Sequence, residues 1–217
     1  MRNDGAMKLE AFKFLPAQYV EGFLKQGAVK LGAAAEFRAI EGSSGGRGDE
    51  NELRQIWDME GEHDLKNDDP LFREVWGVPP ATMNGLKIVG APGAVLNLNL
   101  DALIYCASSE INDEMKARMA SDFGADACVR IADFAEFAHL ISQDQQIRQE
   151  MKQASAGVVQ YVDSKRVKRF MGTRPFEKEK AFGWQKELRA LWDVNPAPKA
   201  SKIINVPTIV PLLTREF

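Results

Sequence analysis

A chain of 217 residues and 24.1 kDa is long enough to bury a core without disulfide or metal staples. Its 45% hydrophobic and 27% charged residues are an ordinary globular balance, and a formal net charge of −3 excludes a protein that coats nucleic acid by bulk charge alone. No apolar run approaches the roughly 18 residues of a membrane span, and "MRNDGAMKLE" lacks the apolar centre of a signal peptide, so a cytoplasmic protein is expected.

Met7 reads as a natural start, with residues 1–6 a disordered leader and 7–217 one α+β domain. "PAQYVEGFLKQG" predicts a helix opened by Pro16 and stopped by Gly27, with Tyr19, Val20, Phe23 and Leu24 on one face. "AVKLG" predicts a short strand, and the glycine- and serine-rich "SSGGRGDEN" a loop. "ENELRQIWDM" suggests a short helix and "EGEHDLKNDDP" an acidic loop. The continuous apolar runs of "LKIVGAPGAVLNLNLDALIYCASSE" suit strands covered on both faces.

A helix capped by Asn112 and stopped by Gly124 follows, then a strand "DACVRIAD" and a second helix capped by Asp133. "GVVQYVD" predicts a strand, "NPAPKAS" a linker and "KIINVPTIV" a closing strand. Short strands interspersed with helices, without a regular strand–helix–strand rhythm, point to an α+β fold. Its sheet is expected to be curved and mostly antiparallel or mixed, with flanking helices.

"FGWQKELRALW" at 182–192 sets the central question. As a strand it puts Gln185, Glu187 and Arg189 on one face. As a helix it has an apolar stripe of Trp184, Leu188, Leu191 and Trp192, with Glu187 on the flank. The first arrangement makes a site and the second a surface helix.

Charge is unevenly spread. Residues 41–74 hold 11 acidic and 4 basic side chains, whereas 163–189 hold 9 basic and 4 acidic. Lys165, Arg166, Lys168, Arg169 and Arg174 could form a positive rim for a nucleic acid or an acidic protein. Cys106 and Cys128 sit in apolar runs 22 positions apart, a spacing unlike a zinc or redox pair. His63 and His139 lack partners at metal-ligand spacing, and no metal site is expected. The chain has no nucleophile elbow, Walker loop or dinucleotide fingerprint, since "GAPGAV" has the wrong spacing.

Arg38 in "EFRAIEG", Ser108 in "IYCASS" and Gln185 with Glu187 in "WQKE" occur in that order. The order resembles that of the toxin-type ADP-ribosyltransferases. A wider resemblance, over most of residues 15–192, is to an uncharacterised bacterial domain family with a closing K…W..E.E.R motif. It is carried by "FLKQGAVKL", "EFRAIEGSSGGRGDENEL", "LIYCASS", "FGADACVRIADF", "VVQYVD" and "KEKAFGWQKELRAL". Gln185 stands where that family usually has an acid, and the first loop lacks its usual proline. That family brings no established activity with it. The transferase resemblance implies an ADP-ribosyltransferase-like fold, NAD as substrate, and a setting in toxin, phage or anti-phage conflict.

Cleavage of the nicotinamide–ribose bond passes through an oxocarbenium-like cation, which a carboxylate beside the ribose can stabilise. The resemblance gives Glu187 that role, with Gln185 orienting the acceptor. Arg38 would bind the dinucleotide phosphates, because guanidinium pairs with phosphate oxygens. Ser108 would support Glu187 by a hydrogen bond, and Tyr105 or Trp184 would wall the nicotinamide. The competing expectation is a non-catalytic module that docks nucleic acid or an acidic partner through residues 163–189. A metal-dependent nuclease is a third.

Overall fold

In the computed structural model, which describes residues 8–40, 53–64, 87–164, 166–167 and 174–217, the first element is a strand, β1 (Ala11–Leu15). The expected leader and the glycine-rich loop lie outside the described residues. Pro16 opens a 3-10 turn (Ala17–Tyr19) that runs into α1 (Val20–Gln26). Gly27 ends the helix at φ 64°, and a Cβ there would lie 2.1 Å from the Val206 carbonyl oxygen. Both the left-handed turn and the close approach therefore require glycine.

β2 (Ala28–Ala33) leads directly into α2 (Ala34–Ile40). The helix expected over "ENELRQIWDM" is instead a strand, β3 (Arg54–Asp58). Gln55 and Trp57 are buried while their neighbours are half-exposed, so a period of two governs this stretch. The start of the expected acidic loop is also a strand, β4 (Gly61–Asp64), paired with β5 (Lys87–Gly90). β6 (Val95–Asn99) pairs antiparallel with β3.

β7 (Leu103–Ser108) is the hub of the sheet. After it come α3 (Asp113–Phe123), β8 (Ala127–Ile131), α4 (Phe134–Gln143) and the single turn α5 (Gln145–Arg148). The caps read from sequence form: Asn112 accepts from Met115 N–H, Asp133 accepts from Ala135 and Glu136 N–H, and Gly124 closes α3 in the left-handed region. β9 (Met151–Val158) starts earlier than the expected "GVVQYVD" strand, whose second half is β10 (Gln160–Val162). β11 (Arg166–Val167) pairs parallel with β3, and β12 (Glu177–Glu179) parallel with β10. A 3-10 segment, Lys180–Gln185, precedes β13 (Glu187–Val194). The closing strand is split into β14 (Lys202–Asn205), a 3-10 segment (Pro207–Leu212) and β15 (Leu213–Arg215). Pro207 and Pro211 lack the N–H groups that a continuous strand would offer its ladder.

The fold is α+β, with a mostly antiparallel eight-stranded sheet. One edge of β7 is covered by β13, which is covered in turn by β9. The other edge is shared. β2 pairs with its start, Gly32 opposite Ile104, and β1 with its end, Phe12 opposite Ser108. The sheet thus forks, β1 continuing to β8 and β15 while β2 continues to β14. Leu103, Tyr105 and Ala107 of β7 and Leu188, Ala190 and Trp192 of β13 face the main core, against Phe23, Phe134, Phe137 and Ile141. Trp192 Nε1 donates to Ser142 Oγ at 2.9 Å, so the large indole is buried with its N–H satisfied.

Candidate functional site

Period-two alternation sends Glu187, Arg189 and Leu191 to the opposite face of β13, and Ile104, Cys106 and Ser108 to that face of β7. Leu191, Ile104 and partly buried Phe37, Cys106 and Phe176 make a second apolar cluster there. At its end the apolar lining gives way to charge. The "FGWQKELRALW" segment is therefore neither wholly helix nor wholly strand: a 3-10 segment ends at Gln185, Lys186 turns through φ 45°, and Glu187 begins the strand.

Glu187 is 3% exposed and Arg189 is fully buried. Arg189 Nε donates to Glu187 Oε1 at 2.7 Å, and its Nη1 donates to the Pro175 carbonyl at 2.6 Å. Lys178, on β12, donates from Nζ to Glu187 Oε2 at 3.0 Å and to Gln185 Oε1 at 2.9 Å. The Glu187 backbone N–H donates to Tyr161 Oη at 2.8 Å. Burial alone would raise the carboxyl's pKa, but the Arg189 and Lys178 charges, with hydrogen bonds from Cys106 and Arg189, hold it well below the usual carboxylate range. Glu187 is an anion at neutral pH.

Ser108 is the residue directly opposite Glu187 in the β7–β13 ladder and is itself buried. Opposite residues in an antiparallel pair stand about 5 Å apart at Cβ on one face. The two carboxylate oxygens of Glu187 accept from Arg189 and Lys178. Next to Ser108, Ser109 N and Oγ both donate to the Lys186 carbonyl, at 2.8 and 3.0 Å, which fastens the turn before Glu187.

Trp184 is half-buried in the 3-10 segment, 6.2 Å from the Phe123 ring, with the Arg118 guanidinium 5.2 Å from its own centroid. Tyr105 corrects an expectation. It lies on the core face of β7, 4.9 Å from Phe137, so the sheet separates it from Glu187 and it cannot wall a ligand there. Arg38 is on α2 and pairs with Asp101. Arg174 donates to Glu177 at 2.9 Å. Only the backbone of Arg166 is described, and Lys165, Lys168 and Arg169 lie outside the described residues.

The sequence reading missed Lys13, Lys178 and Tyr161. Lys13 Nζ donates at 2.7 Å to the Cys106 carbonyl, at the fork where neither β1 nor β2 pairs with β7, and lies 4.6 Å from the Tyr105 ring centroid. Burial lowers the Lys13 pKa against the opposing pull of Cys106 and Glu187. A lysine between two phenylalanines in "AFKFL" is the signal that could have found it, since a charge inside an apolar strand needs a partner. Lys178 carries a similar signal, a cation between Glu177 and Glu179 that alternation turns away from both.

Among the described residues, no group of three or more His, Cys, Asp or Glu side chains could hold a metal ion, and no helix is long and apolar enough to cross a membrane. In chemical terms the arrangement offers one ionised, enclosed carboxylate, an amide tied to it through an ammonium, and a hydroxyl-bearing residue across the ladder. Compared with known proteins, the chain matches no family model, no curated protein and no solved structure.

Proposed function

We propose that the protein is an NAD-dependent ADP-ribosyltransferase acting on a macromolecular acceptor, in the toxin or phage–host setting that the resemblance implies, with a fold of that class and a cytoplasmic location. The observation that carries this reading is the Glu187 carboxylate, ionised and preorganised at the head of a strand, with Gln185 joined to it through Lys178. A fixed anion beside a ribose stabilises positive charge developing at the anomeric carbon, and does so best where water is excluded. In this reading Gln185 orients the acceptor, Ser108 shapes the floor beside Glu187, Arg38 exchanges Asp101 for a dinucleotide phosphate, and Trp184 offers an aromatic wall. The basic residues 165–174 present the acceptor.

One observation favours a second reading. Glu187 is already paired with two cations and is almost wholly enclosed, as in a structural ion-pair cluster. In that case the protein is a non-catalytic module that docks nucleic acid or an acidic partner through its basic segment.

The deciding experiment is nicotinamide release from NAD, with protein and nucleic-acid acceptors offered, by wild type and by Glu187→Gln. Release by wild type that falls about a hundred- to a thousandfold in Glu187→Gln is the expected result, the typical cost of one preorganised electrostatic contact. No release by wild type with any acceptor overturns the reading in favour of the docking module.

A further inference from the structure

A carboxylate held between Arg189 and Lys178 is poorly placed to stabilise a third positive charge, because its field is already largely neutralised. The two cations differ in their freedom to leave. Arg189 is fully buried on the same strand, two residues from Glu187, and is also tied to the Pro175 carbonyl. Lys178, 7% exposed, reaches Glu187 from a three-residue strand whose partner among the described residues is β10, on a flexible four-carbon stem. Its ammonium also lies 4.7 Å from the Phe182 ring centroid, a cation–π contact with the 3-10 segment that carries Gln185.

We propose that Lys178 is an exchangeable cation that leaves Glu187 for the diphosphate of an incoming dinucleotide, thereby binding the ligand and unmasking the carboxylate in one movement. The choice of ligand rests on the ADP-ribosyl-transfer reading. The site itself rests on Lys178 lying within hydrogen-bond distance of both Glu187 and Gln185. A diphosphate offers an ammonium more negative charge and more acceptor oxygens than one carboxylate does. Gln185, released with Lys178, is then free to turn its amide toward the acceptor.

The exchange couples the two residues with a definite sign. Whatever weakens the Lys178–Glu187 pair must strengthen anion binding by Lys178, because one ammonium serves both partners. Glu187→Gln keeps an oxygen for Arg189 but places an amide where the second carboxylate oxygen accepted from Lys178, and so releases the lysine.

The test is titration of the full chain with inorganic pyrophosphate at low salt, followed by calorimetry and Trp fluorescence, with circular dichroism to check folding. Wild type is expected to bind, Lys178→Met to bind about tenfold to a hundredfold more weakly, the range for loss of a charged hydrogen bond, and Lys178→Arg to retain binding. Glu187→Gln is expected to bind more tightly than wild type, and the gain should vanish when Lys178→Met is added. Should Lys178→Met fail to fold, the same sign is read from Glu187→Gln and Lys178→Arg. No binding by folded wild type, equal binding by folded Lys178→Met, or weaker binding by Glu187→Gln overturns the proposal. The full pattern without nicotinamide release supports the exchange while sinking the transferase reading.

Discussion

Arg189 and Glu187 stand two residues apart on one face of β13, and Arg189 Nε donates to Glu187 Oε1 at 2.7 Å with both side chains buried. Taking two charges out of water is costly, and removing Arg189 leaves the buried carboxylate with Lys178 on Oε2 but without the guanidinium on Oε1. Arg189→Met should therefore cost about 1.5–3 kcal/mol of unfolding free energy, the range for a hydrogen bond to a charged group, measured by urea denaturation. In combination with Glu187→Gln the two costs should be less than additive, since both changes remove the same charge–charge attraction. Additive costs would mean that the pair contributes nothing as a pair.

Acid should reveal the same carboxylate. Its folded-state pKa lies below the ordinary 4.5, so between those two values the unfolded chain binds a proton that the folded chain does not. Stability from Glu187 is then present above the ordinary value and is lost as pH falls through the folded one. Wild type should lose stability on acidification below about pH 5, and Glu187→Gln should show a shallower slope there. Parallel slopes would contradict the assignment.

Gly27 and Gly61 form a controlled comparison. Both have positive φ, 64° and 94°, but an added Cβ meets the Val206 carbonyl oxygen at 2.1 Å in the first case and, among the described residues, nothing within 4 Å in the second. Gly61→Ala should cost only the left-handed penalty, about 1–2 kcal/mol. Gly27→Ala should cost more, because it also forces α1 away from the turn before Pro207. Thermal melts of the two variants decide this, and equal shifts would refute it.

Arg38→Ala tests a different link. Its side chain is 11% exposed and that of its partner Asp101 41%, so water screens the pair from one side and its contribution to stability is about 1 kcal/mol. If Arg38 holds a dinucleotide phosphate, the variant should mainly raise KM for NAD, because that contact exists in ground and transition states alike. An unchanged KM would remove Arg38 from the site.

Much of the helical skeleton was legible because caps and stops are local chemistry. Gly27, Asn112, Gly124 and Asp133 mark helix ends where a single residue decides. β7 and β8 were legible as short apolar runs. β1 was not, because Lys13 breaks its apolar run and the partner that admits the charge, Cys106, lies 93 residues away. β3 misled because "ELRQIWD" carries helix-favouring residues, and its strand character comes from pairing with β6 on one side and β11 on the other. Glu187 and Arg189 stood out as charges among aromatic residues. Their face became definite only once the ladder fixed which side of the sheet they take, and the same ladder turned Tyr105 away.

The fork on β7 also sets an order of assembly during synthesis. Residues 11–33 can meet β7 once residue 108 has emerged, but the remaining edge of β7 waits for β13, which begins at residue 187. For some 80 residues of elongation, several seconds at ribosomal speeds of about 5–20 residues per second, the nascent chain carries an apolar central strand whose second edge lacks its partner among the described strands. β9 does not pair with that edge in the finished fold, where its partner is also β13. A growing chain of this kind is exposed to pairing with neighbours on the same message. The segment that delivers Glu187 is thus also the one that ends the exposure.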